Sequence, residues 1–244
     1  MVAAKMQAQW IIKRRAQPSQ PNFPDQGRWI PHIRYNHLVL MDYLAGRLPE
    51  PMLRSPFDWL RREWAEAIQE NPNLEEFKAR FGLDTERWPY SSTYVTTPAS
   101  FTPNRYTAGA GGVRQGENHF TYLTALNRNY RLGGRSLADV RFPSQKVHQM
   151  EDMGRHQHPR DHFFYGDSRA VTTVLFFDAS VRVVRSDDMN NGGYVIANSR
   201  RIDPAVVTYQ ANPAMGYFPW PGASSLAPVP VNGRHHWTAG GLTG

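Results

Sequence analysis

The spacing of proline and glycine changes near Pro89, and this change constrains the fold more than any other feature of the sequence. Before Pro89, apolar side chains recur at helical spacing. After it, Pro, Gly, Ser, Thr and Asn recur so often that only short strands fit between them. The chain is therefore expected to be α+β, with N-terminal helices packed on a small antiparallel β-sheet and with long, ordered loops rich in proline and glycine.

The first predicted helix covers residues 2–15. Val2, Met6 and either Trp10 or Ile11 recur at helical spacing and predict its apolar face. Its cations lie at the C-terminal end, where the helix dipole favours positive charge.

Three more helices follow in the first third of the chain. The second is predicted from Asn36 to Ala45. The third is expected to begin with Ser55 as its N-cap and Pro56 at its first helical position. The fourth is expected to begin after Asn73, which caps it. It is expected to end at Gly82, because glycine is common just after the last turn of a helix.

Short strands are predicted at residues 93–97, 138–142 and 146–150, and a hairpin at residues 171–185. The hairpin has two runs of β-branched residues around a two-residue turn at Asp178-Ala179. Alanine is an unusual choice there because the tight hairpin turns need a positive φ.

These elements predict three regions along the chain. An N-terminal helix at residues 1–16 is followed by a proline-rich linker at residues 17–35. A globular α+β domain then fills residues 36–244, and its last part, residues 204–244, is expected to wrap over the domain.

Composition excludes several classes of protein. The sequence has no cysteine, which excludes a disulfide scaffold, a zinc ribbon and a thiol nucleophile. No apolar run is long enough for a membrane-spanning helix. The net charge of +7 is concentrated in residues 1–35, and no basic block or RNA-binding motif accompanies it, so nucleic acid is not an expected partner.

A histidine cluster offers one candidate metal site. His148, His156, His158 and His162 lie close in sequence among acidic residues, and imidazole with carboxylate is suited to zinc or iron. Pro159 prevents a helical pair of ligands. Two interpretations stay open: a transition-metal site, structural or hydrolytic, and a polar loop whose histidines pair with neighbouring Asp and Arg.

A second candidate metal site follows the hairpin. Asp187, Asp188, Asn190 and Asn191 precede two glycines, and oxygen ligands on a tightly curved loop are what calcium requires. The alternative is an Asn-Gly turn capped by Asx hydrogen bonds. No phosphate-binding loop and no serine nucleophile motif is present, so we expect a protein that is not an enzyme.

Several segments together resemble one bacterial family. They are FPSQKVHQMEDMGRH with VLFFDASVRVVRSDD, GYFPWPG with HHWTAGGLTG, IRYNHLVLMDYLAGRLPEPM and PYSSTYVT. These segments resemble the globular part of the prepilin-type, or type II secretion pseudopilin-like, proteins of planctomycete-type bacteria. The family hairpin "LFxDGxV" corresponds to residues 175–181, with Ala179 in place of the turn glycine. Ser168 takes the place of a family histidine.

The resemblance implies a pilin-like fold and a non-enzymatic subunit of a pseudopilus-like filament in the periplasm or at the cell surface. Its partners would be further copies of itself and other subunits of the secretion system. Membrane attachment would require an apolar N-terminal helix that is not present in this sequence, of which residues 1–16 could be the remaining end.

Two other functions stay open. One is a surface, shell or carbohydrate-binding module, in which exposed aromatic residues serve as stacking platforms. The other is a metal-dependent hydrolase that uses the histidine cluster.

Overall fold

The fold is α+β and consists of two compact units, residues 1–95 and 96–244. The computed structural model describes residues 2–26, 34–44, 46–82, 85–100, 113–115, 122–124, 135–151, 153–155, 162–163, 168–189, 193–195, 202–204, 206–209, 211, 229–232, 234 and 242. The residues expected to form a separate helix and linker belong to the first unit. Phe23, from the expected linker, is 1% exposed and part of a hydrophobic core.

The described α-helices all precede the described strands. The α-helices are α1 (Val2–Arg15), α2 (Trp59–Glu70) and α3 (Leu74–Phe81). Short 3-10 helices lie at Asn36–Leu40, Pro51–Leu53, Trp88–Tyr90, Pro98–Ser100, Leu137–Asp139 and Ser186–Asp188.

The strands are short, as the density of proline and glycine predicts. They are β1 (Tyr94–Thr96), β2 (Val113–Gln115), β3 (Tyr122–Thr124), β4 (Val147–Glu151), β5 (Met153–Gly154), β6 (His162–Phe163), β7 (Val171–Phe176), β8 (Val181–Arg185), β9 (Gly193–Val195), β10 (Ile202–Pro204), β11 (Val206–Tyr209) and β12 (Val229–Asn232). The main sheet has the order β1-β4-β7-β8, and β7 is antiparallel to both neighbours. The remaining strands form two-stranded sheets: β2-β3, β5-β6, β9-β10 and β11-β12.

Two hydrophobic clusters stabilise the first unit. One surrounds α1 and includes Ile12, Phe23, Leu38 and Tyr90. The other lies between α2 and α3 and contains Leu60, Trp64, Ile68 and Phe77. Phe77 of α3 is thus part of the core, whereas Leu74 and Phe81 of α3 pack against this cluster and are only partly buried.

The observed helix cap matches the prediction at α3 and differs from it at α2. Asn73 caps α3 by accepting hydrogen bonds from the backbone N–H groups of Glu75 and Glu76, and the helix ends before Gly82, as predicted. The N-cap of α2 is Asp58 and not Ser55. Asp58 is the stronger cap here because its carboxylate also binds the buried side chain of Arg61.

Two other predicted elements are wrong in detail. The helix expected from Asn36 to Ala45 is a 3-10 helix that ends at Leu40. The strand expected at residues 138–142 is a 3-10 helix at Leu137–Asp139, capped by Ser136. In both cases local hydrogen bonds of the turn type take the backbone groups that a longer element would have used.

The core of the second unit lies on one face of the main sheet. Val147 of β4 and Val174 and Phe176 of β7 pack with Tyr209 and Val231 from the smaller strands. At the far end of the chain, the carbonyl of Leu242 accepts hydrogen bonds from the Arg141 backbone N–H at 2.9 Å and the Lys146 Nζ at 3.0 Å. Residues from the segment 204–244 therefore contribute to this core.

The predicted hairpin is present, with a different turn. The Ala179 N–H donates to the Phe176 carbonyl, and the Phe176 N–H donates to the Ser180 carbonyl. This pattern is a three-residue connection whose last residue is left-handed, and Ala179 has φ 66°. Asp178 stabilises the turn by accepting hydrogen bonds from the N–H and the Oγ of Ser180.

Candidate functional site

The inner face of α1 is buried in the first unit. Ala8, Ile11, Ile12 and Ala16 are nearly fully buried, at the helical spacing that places them on one side. The end of α1 is joined to Leu48 by two backbone hydrogen bonds. The Leu48 N–H donates to the Arg15 carbonyl, and the Gln17 N–H donates to the Leu48 carbonyl. Ile11, one of the two alternatives predicted for the apolar face, belongs to this face, whereas Met6 and Trp10 do not.

The outer face of α1 carries an exposed stripe formed by Met6, Trp10 and Arg14, which we call the α1 stripe. Met6 is 60% exposed and Trp10 is 55% exposed. The Arg14 guanidinium lies 4.2 Å from the centroid of the Trp10 ring, a cation–π distance. Large apolar side chains on a helix whose other face is already buried mark a surface suited to a partner.

Ion pairs at both ends of α1 position this stripe. The Lys5 Nζ donates to Asp25 Oδ1 at 2.7 Å. At the other end, Arg14 and Arg15 both donate to Asp42. Tyr43, the next residue, is 86% exposed. The cations at the C-terminal end of α1 thus connect the helix to the segment that follows the 3-10 helix at Asn36–Leu40.

A buried polar network lies at the start of α2. Asp58 Oδ2 accepts hydrogen bonds from Arg61 Nη1 at 2.6 Å and Thr93 Oγ1 at 2.7 Å. Arg61 Nε donates to Ser91 Oγ at 3.0 Å. The side chains of Asp58 and Arg61 are only 4% exposed. This network is not predicted from the sequence, where its local signal is an Asp three residues before an Arg at a helix start.

Titratable groups near this network are strongly influenced by burial. Burial lowers the pKa of His37 to about 4, although a backbone hydrogen bond with Tyr90 opposes the change. Burial raises the pKa of Tyr35, and the positive charges of Arg87, Arg61 and Arg34 oppose the rise. Both shifts favour the neutral form of the side chain.

The residues of the predicted histidine cluster fall mostly outside the described residues. His156 and His158 lie outside them, and His162 is known only as a backbone position in β6. His148 is half-buried in β4, and its ring centroid lies 4.7 Å from that of Phe177. Burial lowers the pKa of His148. The transition-metal interpretation stays a prediction.

The predicted calcium loop is described only in part. Asp187 binds the guanidinium of Arg185 through both carboxylate oxygens, at 3.1 and 2.9 Å. Asp188 is exposed in the same 3-10 helix, while Asn190 and Asn191 lie outside the described residues. Within the described ranges, no group of three or more His, Asp or Glu is placed to hold a metal ion. Calcium at this loop also stays a prediction.

The described helices include none that is long and apolar enough to cross a bilayer. Comparison with known proteins does not identify a relative: no protein-family model, no curated protein and no solved structure matches the chain. The α1 stripe, the network at Asp58 and the hairpin therefore have to be interpreted from their own chemistry.

Proposed function

We propose that this protein is a non-enzymatic structural subunit that assembles with copies of itself, as a pseudopilin does in a filament. The observation that carries the proposal is the α1 stripe. One face of α1 is buried in its own unit, while Met6 and Trp10 stay exposed on the other face. An α-helix with a second apolar face is suited to packing against the helices of neighbouring subunits.

Electrostatics near the stripe also favour an interface. Arg14 lies over Trp10 and shares the carboxylate of Asp42 with Arg15, so the stripe ends in an ordered cluster of charges. Interfaces between proteins are enriched in Trp, Tyr, Met and Arg. All four residue types are exposed here, since Tyr43 follows Asp42.

The hairpin is a second observation that the proposal uses. Residues 175–181 form the turn and adjoining strand ends of an antiparallel sheet. A pilin-like arrangement, an extracytoplasmic location and partner subunits of a secretion system are part of this proposal. Helical stacking through a surface that does not close on itself would extend such subunits into a filament.

Electron microscopy of the assembled protein tests the proposal, with light scattering to follow assembly. Met6→Glu and Trp10→Glu place charge on the α1 stripe and are expected to abolish filaments without loss of helix content. Met52→Glu is the matched control, because Met52 is 71% exposed in a different part of the first unit. Filaments that survive both stripe substitutions, or a wild-type chain that forms none, would contradict the proposal.

The exposed aromatic residues favour a second candidate, a glycan-binding module. Trp10 and Tyr43 offer ring faces for stacking, and Asp42 and Arg14 offer hydrogen-bonding groups beside them. Oligosaccharide titration followed by Trp fluorescence distinguishes this candidate, with Trp10→Phe as the variant. A response that is unchanged in Trp10→Phe would exclude Trp10 as the platform.

A further inference from the structure

The strand β8 forms an exposed edge of the main sheet. It is the last strand in the order β1-β4-β7-β8, and no described strand pairs with its outer side. Val181 is 61% exposed and Val183 is 63% exposed, while Val184 packs on the core. The free side of an edge strand is a template for pairing with another strand, and the two arginines of β8 limit which pairings fit.

The hydrogen bonds of the hairpin show which backbone groups face outward. The Phe176 N–H donates to the Ser180 carbonyl, and the Ser186 N–H donates to the Ala170 carbonyl. Because antiparallel pairs alternate along a strand, Arg182 and Val184 also bond to β7. The N–H and C=O groups of Val181, Val183 and Arg185 therefore point away from the sheet.

A second copy of β8 matches this edge in one full-length register. With Val183 opposite Val183 of the second copy, Val181 lies opposite Arg185, and Arg182 opposite Val184. The three outward-facing residues of each strand then meet one another, and each such pair exchanges two hydrogen bonds. Cross-strand valine pairs are favourable, and no Arg lies directly opposite another Arg.

Charge disfavours one of the two neighbouring registers. A shift of two residues in one direction places Arg182 opposite Arg182 of the second copy, where like charges repel. In the matched register the Arg185 charge is already neutralised by Asp187, and its aliphatic stem can cover Val181 of the second copy. The Arg182 guanidinium lies 4.4 Å from the centroid of the Phe176 ring.

We propose that two copies of the chain pair through β8, antiparallel about Val183, and join their main sheets into one. The contact is self-complementary, so it closes a two-fold dimer and does not depend on the proposed filament. Its area is limited to one short strand on each side, so we expect a weak dimer that forms at high protein concentration.

Cysteine cross-linking of the full chain tests the register, on a natural background with no cysteine. Val183→Cys places two thiols on residues about 5.5 Å apart between Cα atoms, within the range for a disulfide. Val181→Cys is the matched control, because the two copies of residue 181 would be offset by about 13 Å along the strand. We expect Val183→Cys to form a covalent dimer in mild oxidant and Val181→Cys to stay largely monomeric.

A second pair of variants tests the hydrogen bonds. Val183→Pro removes an outward N–H and leaves the bonds to β7 intact, as proline on an edge strand allows. Val183→Thr keeps both the N–H and the branched side chain. In analytical ultracentrifugation, the wild-type chain and Val183→Thr are expected to shift from 27.9 kDa toward twice that mass as concentration rises. Val183→Pro is expected to stay monomeric, with circular dichroism as the check that it folds.

The outcomes separate this proposal from the filament. Equal cross-linking at residues 181 and 183, a monomeric wild-type chain, or a dimer unaffected by Val183→Pro would each overturn the β8 pairing. Cross-linking at residue 183 in a protein that forms no filaments would support the pairing and contradict the proposed function. Filaments lost in Met6→Glu, with cross-linking at residue 183 retained, would support both.

Discussion

Two Asp–Arg pairs, one in each unit, have similar chemistry and opposite surroundings. Asp58 and Arg61 at the start of α2 are 2.6 Å apart and 4% exposed. Arg185 and Asp187 at the end of β8 are 2.9 Å apart and 53% and 42% exposed. The short distance alone therefore does not show how much a pair contributes to stability. The burial of the pair shows it, because water cannot solvate a buried charge that has lost its partner.

Replacing the aspartate of each pair by alanine gives the largest expected difference in stability between two variants. Asp58→Ala deletes the N-cap of α2 and leaves the Arg61 guanidinium buried, so it is expected to lower the free energy of unfolding by about 4 kcal/mol. Asp187→Ala is expected to leave the unfolding midpoint unchanged, because solvent screens the exposed pair. Urea denaturation of both variants measures the difference. Equal losses would show that Asp187 is buried by some other contact.

Histidine burial extends the comparison to pH. The pKa of His37 is lowered from an ordinary value of 6.5 to about 4, so the unfolded chain binds more protons between these values. Stability is fully present above about pH 6.5 and falls by roughly 3 kcal/mol as the pH drops toward 4. His37→Gln is expected to flatten this dependence in unfolding curves measured across the range. His148→Gln, which removes a half-buried histidine, should alter the pH dependence less. A larger effect of His148→Gln than of His37→Gln would contradict this prediction.

The two strands of the hairpin provide the next comparison. Val174 in β7 is fully buried, whereas Val183 in β8 is 63% exposed. Val174→Ala is expected to destabilise the protein by about 2 kcal/mol through lost packing. Val183→Ala is expected to change stability by less than about 0.5 kcal/mol in dilute solution. Thermal unfolding of both variants measures the two losses of stability. A large loss of stability in Val183→Ala would mean that another part of the chain covers β8.

The smallest expected effect is at the turn that joins these strands. Ala179 has φ 66°, a left-handed conformation that glycine adopts at lower cost. Ala179→Gly is therefore expected to stabilise the protein by about 1 kcal/mol. Ser180→Gly is the control, because it removes the hydroxyl that donates to Asp178 and should destabilise. If Ala179→Gly is destabilising, the turn has a different conformation in solution.

Local sequence signals predicted part of this architecture. Asn73 and Gly82 bound α3 as expected, and the β-branched residues from Val171 to Arg185 form the hairpin. These predictions succeeded because a cap, a terminator or a branched side chain acts through its own backbone and its near neighbours. The 3-10 helix at Leu137–Asp139 was missed because its Ser136 cap competes with strand formation.

The candidate surfaces depended more on tertiary contacts. Helical spacing predicted α1 and assigned Met6, with either Trp10 or Ile11, to its apolar face. The structure buries Ile11 and Ile12 in the cluster with Phe23 and leaves Met6 and Trp10 exposed. An amphipathic helix with apolar residues on two sides has no local rule that decides which side is buried. Residues distant in the chain make that choice, since they provide the surface that one side fits.

The sequence by itself determined the order of elements, the limits of α3 and the position of the hairpin, because these follow from interactions between residues close in the chain. Only the tertiary structure decided that Asp58 is buried and Asp187 is exposed, and that β7 is covered while β8 is an edge. Both strands are rich in β-branched residues, although β8 also carries Arg182 and Arg185. They differ in position, because β7 lies between β4 and β8 in the sheet, and burial is a property of position.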